Sequence, residues 1–132
     1  MAKASDLTGL GMPPLLARIL ASEPVVASAA GGTRASATAI GGAQHLTTFV
    51  LGTGSGGCLL PTAGGDGGGN LGDPYVINNQ IAGGLYIYAA TGTTISMNAS
   101  NASGSSGINI SSNTTAILWP ITTTTWIGVV GG

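Results

Sequence analysis

The chain has 132 residues, enough for one domain with one core. Only 5% of it is charged, against a usual quarter, and its three basic residues cannot build a phosphate-binding stripe or a basic membrane-surface patch. Mean hydropathy is +0.43, yet no stretch stays apolar for the roughly 18 residues a spanning helix needs. Nucleic-acid binding and membrane binding are therefore not expected. A small monomer normally stays dispersed by charge. With a net charge of -1, this chain is expected to have much of its surface covered by copies of itself or by a partner lattice.

Lys3, Asp6, Arg18 and Glu23 lie in the first 30 residues; Arg34, Asp66 and Asp73 complete the charged set. Pro13 and Pro14 suit a helix start, and Leu15, Leu16, Ile19 and Leu20 then share one face. The helix stops before Pro24. About two turns are unstable alone in water, so this apolar face must dock elsewhere. Residues 27–32 have the composition of a linker. The expected division is an arm with a short helix over 1–30 and a β domain over 31–132.

From residue 34 the texture changes to period two. Strands are expected at 34–40, 44–51, 58–60, 75–77, 85–89, 93–97, 108–110, 115–119 and 123–130. In 85–89, Leu85, Ile87 and Ala89 point one way and Tyr86 and Tyr88 the other. Residues 61–74 are read as a flexible glycine-rich loop, kept soluble by Asp66 and Asp73, and 98–107 as a polar loop. Turn signals every 8–12 residues predict an all-β fold, an antiparallel β-sandwich or barrel of jelly-roll type. No Asp, Glu, Lys, Arg or His occurs from Pro74 to Gly132.

Several patterns have a chemical and a plain reading. Gly52-Thr-Gly-Ser-Gly-Gly57 fits G-x-G-x-x-G, but a dinucleotide site needs a helix next. Cys58-Leu-Leu-Pro61 follows instead, so a hairpin connection is expected. The stretch 64–73 resembles glycine/aspartate calcium repeats, but two carboxylates are few for such an ion. No metal or other cofactor is expected. His45, Cys58 and Asp66 could form a nucleophile, base and orienter, but no catalytic signature surrounds the cysteine. His45 is read as a surface strand residue and Cys58 as a small buried one. No secretory signal is visible at the start of the sequence. Asn98, Asn101, Asn109 and Asn113 begin glycosylation sequons that serve turns and sheet faces on this reading.

Ser5-Asp-Leu-Thr-Gly-Leu-Gly-Met-Pro-Pro-Leu-Leu-Ala17, Gly32-Thr-Arg-Ala-Ser-Ala-Thr38, Leu59-Leu-Pro61, Val76-Ile-Asn-Asn79, Leu85-Tyr-Ile-Tyr88, Thr91-Gly-Thr-Thr-Ile95 and Thr123-Thr-Thr-Trp-Ile127 are short patterns spread along the chain. Together they resemble small virion proteins of tailed bacteriophages, of the capsid decoration (cement) type. The resemblance implies a structural, non-enzymatic protein. It would oligomerise, typically as a trimer, and bind the outer surface of the major capsid protein lattice to stabilise the head. Assembly in the host cytoplasm and a place on the capsid exterior follow from it. The chain departs from that pattern in its long 64–72 loop and at Ala89-Ala90.

The arm apolars Leu7, Leu10, Met12, Leu15, Leu16, Ile19 and Leu20 are the expected partner contacts, because they cluster outside the β pattern. A rival is a tail-fibre or receptor-binding module that recognises host glycans through Tyr75, Tyr86, Tyr88, Trp119 and Trp126. It predicts binding lost on Trp126→Ala with folding intact. An enzyme would need His45. A filament-forming repeat protein would need a fixed period, and none is visible.

Overall fold

A computed structural model describes residues 24–52, 56–64, 68–97, 100–103 and 105–131. These form eleven strands: β1 (Pro24–Ser28), β2 (Thr38–Ala39), β3 (Leu46–Leu51), β4 (Gly57–Leu59), β5 (Tyr75–Asn79), β6 (Leu85–Tyr88), β7 (Thr94–Met97), β8 (Ser100–Ser103), β9 (Ile108–Ile110), β10 (Thr114–Thr122) and β11 (Thr125–Gly131). They make a seven-stranded sheet, order β1-β3-β5-β10-β11-β7-β8, and a four-stranded sheet, order β2-β4-β6-β9. The chain is all-β over the described residues. The short helix expected at the N-terminus lies outside them.

Strand pairing departs from the antiparallel expectation. β1, β3 and β5 run parallel in the large sheet, and β2, β4 and β6 run parallel in the small one. The reason is the route of the chain. Each of β1, β3 and β5 is followed by a strand of the small sheet, so the next return runs in the same direction. Parallel neighbours require such crossovers. Turn signals mark where a strand ends, but not whether the chain folds back beside it or crosses to the other layer.

The result is a coil of three rungs with backbone ladders at its corners. Ala29 N–H donates to Leu51 O and Gln80 N–H to Phe49 O (both 2.8 Å). Gly57 N–H donates to Ala30 O at 2.8 Å, and Tyr86 N–H to Gly56 O at 3.0 Å. A Cβ on Gly56 would come within 2.8 Å of the Ala29 side chain, so the tight corner requires glycine. The rung length changes from 22 to 30 residues in the large sheet, Pro24 to Leu46 to Val76. The glycine-rich insertion before β5 accounts for the change and hides any fixed period.

β9 and β10 then pair antiparallel with β6 and β5, capping the third rung. β11 extends the large sheet from β10, and β7 and β8 complete it.

Three expectations change. The sheet begins at Pro24 rather than near 31, and Ala27 and Ser28 are strand, not linker. Small residues fit there because Ala27 and Ala29 pack against the core at the tight corner. The expected strand at 34–40 shrinks to Thr38–Ala39; residues 31–37 turn instead, with Ser36 N–H donating to Thr33 O at 3.1 Å. Ser100–Ser103, expected as loop, pairs with β7 and buries Ala102.

Burial alternates as the sequence predicts for β5 and β7. Phe49, Ile77, Leu118 and Trp126 from the large sheet meet Cys58, Leu85, Ile87 and Ile110 from the small one in a single core.

Candidate functional site

The expected contact residues Leu7, Leu10, Met12, Leu15, Leu16, Ile19 and Leu20 lie outside the described residues. The other candidate positions can be placed.

His45 is buried, not a surface residue. It precedes β3, stacks on Tyr75 at 4.4 Å between ring centroids, and places Nδ1 2.8 Å from Pro74 O. A carbonyl only accepts, so Nδ1 carries the proton and donates. Cys58 is on the inner face of β4, in the other sheet. Burial pushes its thiol pKa well above the ordinary value. The native chain should therefore resist a thiol reagent such as 5,5′-dithiobis-(2-nitrobenzoate) and react once unfolded. Rapid reaction of the folded chain would contradict this placement. Asp66 lies outside the described residues, so the imagined triad reduces to two buried groups on different layers.

The glycine motif does not make a hairpin. Gly52 follows β3 in one sheet and Gly57 opens β4 in the other, so the chain crosses between sheets here. Gly52 and Gly56 leave room for Ala29 at the stacked corners.

The long loop also differs from expectation. Gly64 N–H donates to Gly69 O at 2.6 Å, Gly69 N–H to Thr62 O at 2.7 Å, and Gly72 N–H to Pro120 O at 2.7 Å. Asp73 is buried and takes a bond from Asn70 Nδ2 at 3.4 Å. It is part of the folded body rather than a solvated charge. Among the described residues no three of His, Cys, Asp and Glu come together.

The five aromatics that the rival reading makes a sugar platform do not share a face. Tyr75 and Trp126 are core residues on the inner side of the large sheet, packed edge to face at 5.3 Å. Tyr88 lies on the outer side of the small sheet, in a slot that a side chain on Gly57 or Gly107 would fill. Its hydroxyl donates to Gly32 O at 2.9 Å and fastens the 31–37 turns. Tyr86 stands beside it at 6.2 Å. Trp119 is on the outer face of the opposite sheet.

What the fold does assemble is an outer face on the seven-stranded sheet. Leu46, Val76, Ile117 and Val129 lie directly opposite one another on β3, β5, β10 and β11. Their neighbours along each strand are buried, or half-buried beside Val129, so this row faces out. Val129 is 52% exposed, Leu46 42% and Ile127 40%. Trp119 pairs with Ile127 and widens the row on one side. On the other side Thr48, Asn78 and Thr115 make a polar row. Within it Asn78 Nδ2 donates to Thr115 Oγ1 at 2.7 Å, and Gln80 Nε2 donates to Asn78 Oδ1 at 2.8 Å. None of these outer-face side chains is charged.

The alternation that turns these residues outward was readable in each strand. Their alignment into one row was not, because it depends on which strands are neighbours and in what register. Comparison with protein families, with curated proteins and with solved structures found no match.

Proposed function

We propose that this chain is a structural assembly protein. It decorates the outside of a tailed-phage capsid, self-associates, and stabilises the head by contact with the major capsid protein. The observation that carries this reading is the outer face of the seven-stranded sheet. It offers an apolar row beside a hydrogen-bonded row of neutral side chains. Contacts of this kind are screened little by salt, unlike exposed ion pairs. The sequence resemblance supplies the particle. Leu7, Leu10, Met12, Leu15, Leu16, Ile19 and Leu20 are assigned to the lattice contact.

The test is co-sedimentation of the purified chain with heads assembled without it. Saturable binding is expected. The full-length variant Leu15→Ser/Leu16→Ser/Ile19→Ser/Leu20→Ser should bind at least about tenfold more weakly, with its circular dichroism unchanged. Absence of wild-type binding sinks the capsid reading; undiminished binding of the variant sinks the assignment of the arm.

A further inference from the structure

We propose that the outer face of the seven-stranded sheet is the surface through which this chain pairs with a second copy of itself. The proposal deepens the self-association part of the preceding reading and is independent of the capsid.

Charge favours a second copy as the occupant. Among the described residues the charged side chains are Arg34 and Asp73. Asp73 is buried, and Arg34 lines a depression with Leu59, Thr62 and Thr91 away from the large sheet's outer face. A strongly charged partner would thus find no complement on this face and would lose hydration on docking. A second copy presents the same neutral surface and brings no like-charge repulsion.

The pattern of side chains on the face is self-complementary. The apolar row Leu46–Val76–Ile117–Val129 runs across four strands, with Trp119 and Ile127 along one flank and Thr48, Asn78 and Thr115 along the other. Two sheets that pack face to face align their strands to within about 30° and interdigitate side chains at roughly 10 Å. Related by a two-fold axis, the apolar row of one copy meets that of the other. The polar rows then fall at the two rims, where water can reach them.

The size of the face suits a reversible contact. Seven strands spaced about 4.8 Å, with a mean length of about 19 Å, give a face on the order of 600 Å². Two such faces bury about 1,200 Å², the lower end of specific interfaces. The expected association is therefore a reversible dimer. The unit is two copies, where the resemblance implies three.

Sedimentation velocity of the full chain over a range of concentrations tests this. A monomer–dimer equilibrium is expected. Ile127→Glu/Val129→Glu should raise the dissociation constant at least about tenfold, while Ala39→Glu, on the small sheet, leaves it unchanged. Leu46→Lys provides a second variant should the first fail to fold, with folding judged by circular dichroism. A trimer, or a dimer insensitive to the face substitutions, overturns the proposal. So does a monomer at all concentrations, the result expected if residues 1–23 cover the face. A wild-type monomer that still sediments with heads would overturn this inference alone and leave the capsid reading standing.

Discussion

Replacing Trp126 by alanine should lower the stability of the chain by about 3–5 kcal/mol, the range for emptying a large buried aromatic site. Trp126 is fully buried on the inner face of β11. It is paired with Pro120 and Ile95 on the neighbouring strands and packed against the edge of Tyr75. Its indole Nε1 has no hydrogen-bond partner among the described residues. Trp126→Phe should therefore cost much less, about 1–2 kcal/mol, because part of the lost volume is offset by removing an unpartnered donor. Chemical denaturation of the two variants gives both numbers. Equal costs would show that the ring's contacts are not what holds this part of the core. The result also decides how a ligand-binding screen is read, since loss of glycan binding in Trp126→Ala would report a damaged core rather than a removed platform.

Asn79→Ala should be comparably severe, at about 3 kcal/mol. Asn79 is fully buried at the end of β5. Its Nδ2 donates toward Ser111 O at 3.0 Å, Gly83 O at 3.1 Å and Ile110 O at 3.2 Å, while its Oδ1 accepts from Ile81 N–H at 3.0 Å. One side chain thus joins the β5–β6 turn, the end of β9 in the other sheet and the start of the turn into β10. Alanine leaves several buried backbone groups unpartnered, each costing about 1–3 kcal/mol before relaxation. Asn79→Asp discriminates further. A carboxylate would face the same carbonyl oxygens, and burial raises its pKa in the folded state. A raised folded pKa means stability is retained below the unfolded value near 4 and lost as pH rises through the folded one. The deficit of Asn79→Asp relative to wild type should therefore shrink as pH falls toward about 4. A deficit independent of pH would contradict the assigned bonds.

The all-β character was legible because the apolar residues fall in strand-length blocks with period two, and the burial of Tyr75, Ile77 and Asn79 follows that period. The route between layers was not legible. The sequence places strands at 34–40 and 44–51 in direct succession, yet β2 and β3 belong to different sheets. Asp73 was misplaced because composition marks its loop as solvent-like, whereas backbone bonds from Gly64, Gly69 and Gly72 draw that loop into the body. Asn79 carried no signal of its own among many Asn and Ser residues; its role exists only where three chain segments converge. The same holds for the outer face, whose members are ordinary strand residues until the register aligns them.

The proposed function is contact, as part of the outer shell of a particle. Cryo-electron microscopy of the intact particle tests it most directly. The account predicts density for the two-sheet body on the outer surface of the capsid, seated on the major capsid protein. Density at the tail tip, or none on the particle, would contradict it.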